Sequence, residues 1–234
     1  MVYAPVPQPN VRLVARTMGC DAAGDEDPGL GYPGVITSGT NGLLTRPREA
    51  ELLRTATRLF RMRGFHATSM QDLAEALGMN RGSLYHYIAS KDDLLWSIVS
   101  GALDRLCDRV GPILDSDEAA ALRLRRAIAE HLAFAAEHGD ELSLVQIELR
   151  SLSEDRRRQI VARRDAYEAR WRAAIQDGIV AGSLRSTDVR LTGIAILSAC
   201  NWFTQWYRED GPLTVEQIAA AFADLFVGPG AAAA

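Results

Sequence analysis

Apolar residues recur at helical spacing from Thr45 almost to the end of the chain, and this periodicity is the feature that most restricts the fold. One stripe of the first segment is formed by Leu52, Leu53, Ala56, Leu59 and Phe60. A half-buried β-strand would instead alternate apolar and polar residues, and no alternating run of useful length is found. The sequence therefore predicts an all-α protein.

Glycines separate the first three predicted helices. Gly64 ends the first helix, and Gly78 ends a short second helix. Thr68 and Gln71 match the S/T-x-x-E/Q capping box at the start of that second helix. Asn80 can cap a third helix of about two turns. Two short helices that follow a longer one across a tight turn have the spacing of a helix-turn-helix, whose last helix enters the DNA major groove.

Longer helices follow. Ser90 and Asp93 form a second capping pattern, and a further boundary is expected at Gly111-Pro112. The predicted helices beyond that boundary span 118–138, 141–151, 154–181, 188–209 and 214–226. We divide the chain into a Gly-, Pro- and Asp-rich mobile tail (1–44), a helix-turn-helix domain (45–92), a larger helical domain for ligand binding and dimerisation (93–228) and a short tail (229–234).

The third helix has one face for packing and one for DNA. Leu84 and Ile88 are four residues apart and share the inward face. Side chains on the other face are predicted to approach the duplex, with Arg81 and Ser83 donating to base edges and His86 and Tyr87 reaching phosphate or a thymine methyl. Gly82 removes bulk where the helix comes close to DNA. Tyr85 fits either a partly buried position or a DNA contact.

Lys91 is the only lysine of the chain, and it begins the helix that follows the recognition segment. A helix N-terminus and an ammonium group both favour an anion, so this residue is predicted to clamp a DNA phosphate. Thr68 is expected to do the same across the groove. Gln71 fits a helix cap or a base contact.

Charge and cysteine content restrict the partners and the cellular compartment that fit this protein. The net charge is −4, but residues 46–96 hold 8 basic and 6 acidic side chains, so a polyanion partner is expected there. Cys20, Cys107 and Cys200 form no CxxC pair, which argues against a disulfide framework or structural zinc and favours the cytoplasm. Neither a membrane-spanning apolar run nor a signal peptide is found.

Fifty contiguous residues closely resemble the N-terminal domain of TetR-family transcriptional regulators. They read "RPREAELLRTATRLFRMRGFHATSMQDLAEALGMNRGSLYHYIASKDDLL" and match the family in order and without gaps. The resemblance implies an all-α homodimeric repressor that binds a palindromic operator in double-stranded DNA and is released by a small-molecule effector. Its DNA contacts would fall on Asn80, Arg81, Gly82, Ser83, Tyr85, His86 and Tyr87, with the clamp at Lys91 and second-helix contacts at Thr68, Ser69 and Gln71. We expect the dimer to form through 188–209 and 214–226.

Two C-terminal segments resemble the subgroup of the family that regulates fatty-acid and sterol breakdown and responds to acyl-CoA thioesters. One is an arginine-rich helix, "SEDRRRQIVARRDAYEARWRAAIQDGIVAGSLR", and the other is aromatic, "ACNWFTQWYREDGPLT". Arginine suits the phosphates of coenzyme A, and an acyl tail needs an apolar tunnel. The predicted ligand residues are Arg164, Arg170 and Trp171 for the nucleotide, Ile194, Leu197, Cys200 and Phe203 for the tunnel, and Asn201 beside them. The same arginines could form a solvated face, and the aromatics could pack in the core or in a dimer interface.

Three other functions fit the sequence less well. A regulator of drug efflux would need buried carboxylates for cationic ligands, and Glu148, in an apolar segment, is the best candidate. An enzyme is not expected, because His66, His86, His131 and His138 have no metal-like spacing and no nucleophile motif beside them. An architectural DNA-binding protein would not need the large C-terminal domain. The sequence therefore predicts no catalytic residue, no metal and no cofactor other than the effector.

Overall fold

Nine α-helices form the part of the chain that this computed structural model describes, residues 47–184 and 188–228. No strand occurs within these two ranges, which confirms the all-α prediction. The two predicted tails, 1–44 and 229–234, lie outside the described residues. None of the described helices is both long and apolar enough to cross a membrane.

The helices follow one another with short connections. Their bounds are α1 Pro47–Arg63, α2 Met70–Ala76, α3 Arg81–Leu84, α4 Lys91–Leu114, α5 Ala120–Glu137, α6 Gly139–Ile147, α7 Glu154–Val180, α8 Val189–Trp206 and α9 Val215–Phe226. A 3₁₀ turn, Leu149–Ser151, separates α6 from α7. The predicted long helices agree with these bounds within a few residues.

Two sequence-based boundaries are wrong. The α-helical part of the third helix is a single turn, because hydrogen bonds beyond Leu84 change to turn-like spacing, such as His86 N–H to Ser83 O. The predicted break at Gly111-Pro112 is absent, since α4 continues through both residues to Leu114. Pro112 lacks the N–H that would bond to the Asp108 carbonyl, so the helix continues through it with one backbone hydrogen bond fewer.

Helix caps set the start of each short helix. Asn80 and Ser90 cap α3 and α4 as predicted, each accepting a backbone N–H three residues ahead. The predicted capping box of α2 is shifted by one residue. Ser69, not Thr68, accepts the Asp72 N–H at 3.1 Å, and the Asp72 carboxylate accepts the Ser69 N–H at 2.7 Å. The Ser69 hydroxyl also donates to the Asp72 carboxylate at 2.5 Å, and this bond together with the one from the Ser69 N–H holds the pKa of the half-buried Asp72 carboxyl below its usual value.

A single apolar core runs through both predicted domains, because α4 belongs to each of them. At its N-terminal end α1, α2 and α3 pack around Phe60, Leu73 and Leu84. Further along, α4, α5, α7 and α8 enclose Trp171 and Phe203, and α9 packs on α5. The helix-turn-helix is therefore carried on a larger helical bundle through one continuous helix.

Candidate functional site

The segment from α3 through the following turn presents several polar and aromatic side chains to solvent. Leu84 is fully buried and anchors the segment, whereas Arg81, His86 and Tyr87 are exposed. Tyr85 is 43% exposed, so it belongs to this surface rather than to the core. Arg81 Nη2 donates to the Tyr85 hydroxyl at 3.2 Å, and the guanidinium lies 5.7 Å from the ring centroid. The side chains predicted to contact DNA from this segment are therefore accessible, apart from the half-buried Ser83.

Gly82 lies in the middle of this surface with space around it. A Cβ atom built there would meet only the Asn80 Oδ1 atom, at 3.4 Å, which is an ordinary contact. The fold itself therefore does not require glycine at this position. A partner that approaches the backbone closely would require it. Ser69 and Gln71 are also exposed, although Gln71 Nε2 donates to Glu75 at 2.8 Å.

Lys91, the predicted phosphate clamp, contacts its own chain. Its Nζ atom lies 2.8 Å from both the Phe65 and the Thr68 carbonyl oxygens and 4.4 Å from the centroid of the Phe65 ring. Two of the three ammonium donors are therefore used to hold the turn between α1 and α2 against the start of α4.

The second predicted phosphate contact, Thr68, has a buried side chain. Thr68 is 1% exposed, and its hydroxyl donates to the Gly64 carbonyl at 2.9 Å. Its role is to close the turn before α2, because the hydroxyl is directed away from the surface.

A buried polar cluster lies between α5, α7 and α8. His131 Nδ1 lies 3.1 Å from the Tyr167 hydroxyl, and the fully buried Trp171 indole is next to both rings. Burial lowers the pKa of His131 to about 4, against a smaller opposite effect of the Asn201 side chain, so the imidazole is neutral at pH 7. His131 Nε2 and Trp171 Nε1 make no well-formed hydrogen bond among the described residues.

Only part of the predicted ligand set reaches this interior. Trp171, Cys200 and Phe203 are fully buried, and Asn201, Ile194 and Leu197 of the same α8 helix are half-buried. Trp171 was predicted to meet the nucleotide together with Arg164 and Arg170, and its side chain lies in the interior. Burial also raises the pKa of the Cys200 thiol to about 12, so the thiol stays protonated.

The predicted arginines lie outside the core. Arg164 is half-buried, and Arg170 is exposed with its Nε atom 3.6 Å from an Asp115 carboxylate oxygen. The Arg170 guanidinium also covers Gly111, where an added Cβ would clash with Nη1. Arg170 would have to leave this position before it could bind a phosphate.

Glu148, the predicted carboxylate for cationic ligands, lies where the bundle meets the α1–α2 turn and bonds to its own chain. Its Oε1 atom accepts the Phe65 backbone N–H at 3.2 Å, and its Oε2 atom accepts the Ser151 hydroxyl at 2.6 Å. The carboxylate therefore joins the end of α6 to the α1–α2 turn.

Sequence reasoning missed a groove of about 740 Å³ beside the helix-turn-helix. It is lined by α1 residues such as Leu53 and Arg54, by Arg105 of α4, by Glu137 and by Tyr207. None of the predicted ligand residues lines it. No local pattern could have revealed it, because its walls come from widely separated parts of the chain. The interior role of His131 was missed as well, although its place in the apolar run "IAEHLAFAA" was a signal for burial.

The α3 segment is exposed on a helix-turn-helix of three helices, and α4 continues from it into a helical domain with a partly polar interior. This arrangement defines a DNA-binding protein with an attached regulatory domain. Two family models match the chain: bacterial regulatory proteins of the tetR family over residues 52–98, and the tetracyclin repressor-like C-terminal domain over residues 117–228. The chain belongs to the TetR family of transcriptional regulators. It is a DNA-binding regulator and not an enzyme, as predicted.

Known relatives share most of the length of the chain. The transcriptional repressor KstR2 of Mycobacterium tuberculosis is 30% identical over 77% of this chain and 92% of its own. The solved structure of PfmR from Thermus thermophilus is 35% identical, covers 76% of this chain and 97% of its own, and has a TM-score of 0.70. AibR, solved with isovaleryl coenzyme A and operator DNA, is 28% identical, covers 78% of this chain and all of its own, and has a TM-score of 0.71.

Proposed function

We propose that this protein is a cytoplasmic transcriptional repressor that binds a palindromic operator as a homodimer and is released by an acyl-CoA thioester. The observation that carries the effector assignment is the neutral polar cluster of His131, Tyr167 and Trp171 inside the apolar bundle. Buried polar groups without partners are costly, and a ligand that supplies the missing hydrogen bonds would recover that free energy.

Operator binding is supported by the surface around α3. Arg81, His86 and Tyr87 are exposed on one short segment, and Gly82 between them leaves room for close approach of a duplex. Arginine can donate two hydrogen bonds to guanine in the major groove. The proposed DNA contacts are Asn80, Arg81, Gly82, Ser83, Tyr85, His86 and Tyr87 with Ser69 and Gln71.

Dimerisation is supported by an exposed apolar stripe on α8. Leu191 is 64% exposed, Trp202 61% and Trp206 45%, at spacings that keep all three on one side of the helix. Leu225 of α9 is exposed as well. Aromatic side chains exposed in this way favour a protein interface, and a two-fold interface would hold two heads for a palindrome.

The chemistry of the interior favours a neutral polar group flanked by an apolar tail. The Trp171 Nε1–H is a donor, and His131 Nε2–H is also a donor when Tyr167 donates to Nδ1. A thioester carbonyl is an acceptor that fits such a pair. Cys200 and Phe203 supply apolar surface for the acyl chain, and Arg164 and Arg170 lie outside, where phosphates stay hydrated. The similarity to AibR, which was solved with isovaleryl coenzyme A, supports the same class of ligand.

The alternative of an efflux regulator has lost its main support. Glu148 was its candidate carboxylate, and among the described residues it is the only buried one. Because Glu148 is bonded at the junction with the helix-turn-helix, no buried negative charge in the described bundle faces a cationic drug.

We expect Arg81→Ala to weaken binding to a palindrome at least tenfold, through loss of base contacts, and to change binding to random DNA far less. The palindrome is first selected by the wild-type protein from randomised duplexes. Affinities of both proteins are then measured over a series of salt concentrations. Arg63→Ala, at an exposed arginine of α1 outside the recognition segment, is the matched control. Equal losses on palindromic and random DNA would exclude Arg81 as a base-reading residue.

For the effector, we expect CoA thioesters with long or bulky acyl groups to release the operator, and free CoA or the free acid to act weakly. Free CoA and the free acid each make only half of the contacts. Release requires the effector to bind the DNA-incompetent conformation more tightly than the DNA-binding one. Trp171→Phe removes one donor and keeps the ring, so the thioester concentration needed for release should rise about fivefold to tenfold with operator affinity unchanged.

Trp96→Phe serves as the matched control for the indole, since Trp96 is half-buried on α4 and the Arg156 and Arg163 guanidinium groups lie 5.6 and 5.5 Å from its ring centroid. Release by cationic drugs together with no response to any thioester would contradict the proposed effector class.

A further inference from the structure

The peptide group of Phe65, in the turn between α1 and α2, is held from two different helices. Its N–H donates to Glu148 Oε1 at 3.2 Å, and its carbonyl oxygen accepts from Lys91 Nζ at 2.8 Å. The Phe65 side chain is buried and packs edge-on against Phe60, with 5.2 Å between ring centroids. This turn is therefore fixed in position by its backbone as well as by its ring.

The two partners belong to different parts of the molecule. Lys91 begins α4, directly after the recognition segment, whereas Glu148 ends α6 in the C-terminal bundle, 83 residues from Phe65. A second polar contact lies beside the first. The Ser151 hydroxyl donates to Glu148 Oε2, and its oxygen lies 3.1 Å from His66 Nε2. The C-terminal bundle thus makes polar contacts with the turn at two successive residues.

A movement of this turn would pass to the DNA-binding surface. The cap of α2, Ser69, follows Phe65 by four residues, and Lys91 links the Phe65 and Thr68 carbonyls to the end of the recognition segment. Another polar contact between α1 and α6, Arg61 to Asp140 at 3.4 Å, is exposed and contributes little.

We propose that Glu148 is a positioning residue that fixes the orientation of the helix-turn-helix on the C-terminal bundle through the Phe65 N–H. This inference rests on the proposed function. The orientation of the helix-turn-helix matters only where the two subunits of a dimer must bind the two halves of one palindrome. A buried N–H that loses its acceptor is costly, so without Glu148 the turn is held less firmly against the end of α6. Each helix-turn-helix then samples more orientations, and the spacing of the two recognition helices in a dimer is less well defined.

The test compares a full palindrome with its isolated half-site. Both duplexes come from the selection with wild-type protein, and no effector is needed. Glu148→Met fills the space of the side chain without an acceptor. Glu148→Gln keeps an oxygen for the Phe65 N–H. Asp140→Ala is the matched control, because it lies on the same helix and faces the same α1 but through an exposed ion pair. Folding of each variant is checked by circular dichroism and thermal unfolding.

We expect Glu148→Met to bind the half-site like the wild type and the palindrome about tenfold more weakly, as one lost buried hydrogen bond per subunit implies. Glu148→Gln and Asp140→Ala should keep the wild-type ratio of full-site to half-site affinity. Should Glu148→Met fail to fold, Ser151→Ala replaces it, since loss of the adjacent contact to His66 and the carboxylate should reduce the same ratio.

Equal losses on both duplexes would overturn the inference, because they would mean a local defect in the reading surface. An unchanged ratio of full-site to half-site affinity in a folded Glu148→Met protein would overturn it as well. So would a Glu148→Gln protein in which that ratio falls as far as in Glu148→Met. If the wild-type protein selects no palindrome at all, the proposed function fails, and that result precedes any variant.

Discussion

Acidification should destabilise this protein through His131, which is buried as a neutral imidazole. The unfolded chain takes up a proton near pH 6.5, whereas burial lowers the pKa of the folded His131 to about 4. The unfolded state therefore binds more protons over this range, and stability falls as pH falls. We expect a loss in the free energy of unfolding of about 2 kcal/mol by pH 5 and about 3 kcal/mol by pH 4.

Denaturant unfolding at a series of pH values measures this effect, and His131→Asn isolates it. Asparagine still offers an acceptor to the Tyr167 hydroxyl but does not titrate, so the variant should lose this part of the pH dependence. His86→Asn is the matched control, because His86 is exposed on the recognition segment. Parallel pH profiles for wild type and His131→Asn would contradict this prediction, because they would mean that the pKa of His131 is the same in the folded and unfolded states.

Lys91→Ala should lower the free energy of unfolding by about 3 kcal/mol, since two charge-assisted hydrogen bonds are lost at a partly buried site. The bonds to the Phe65 and Thr68 carbonyls, at 2.8 Å each, and the contact with the Phe65 ring disappear together. Urea unfolding gives the change directly. Operator affinity should also fall, because the turn before α2 is no longer held against α4.

The salt dependence of DNA binding separates this role from a phosphate clamp. A residue that neutralises a phosphate changes the slope of log affinity against log salt by about one per contact. We expect the slope of Lys91→Ala, measured where the variant is fully folded, to equal that of the wild type. Lys91→Met, which retains the aliphatic chain over the Phe65 ring, should regain part of the stability. A variant with unchanged stability and a lower slope would restore the phosphate assignment.

The order and type of the helices could be predicted from the sequence because the signals are local. Gly64 and Gly78 both adopt positive φ angles at the turns where they were expected to end helices. Asn80 and Ser90 cap their helices as predicted. The error at α2 is one residue, since Ser69 and Thr68 can both cap and only the packing of Thr68 under α1 decides between them.

The outward face of the recognition segment was predictable for a related reason. Leu84 had to be buried if the short helix was to pack at all, and this orients Arg81 and Tyr85 toward solvent. The extent of α3 was not predictable. Four residues of α-helix gain little from propensity, and tertiary packing determines where so short a helix ends.

What the sequence by itself determined is the set of helices, most of their caps and the composition of the exposed surface around α3, because each depends on residues within a few positions of one another. Only the tertiary structure decided the partners of the chemically distinctive side chains. Lys91 binds carbonyls 23 and 26 residues away, and Glu148 binds an N–H 83 residues away. Whether such a side chain meets a ligand or its own backbone depends on which helices pack together, and burial then sets its charge, as in His131.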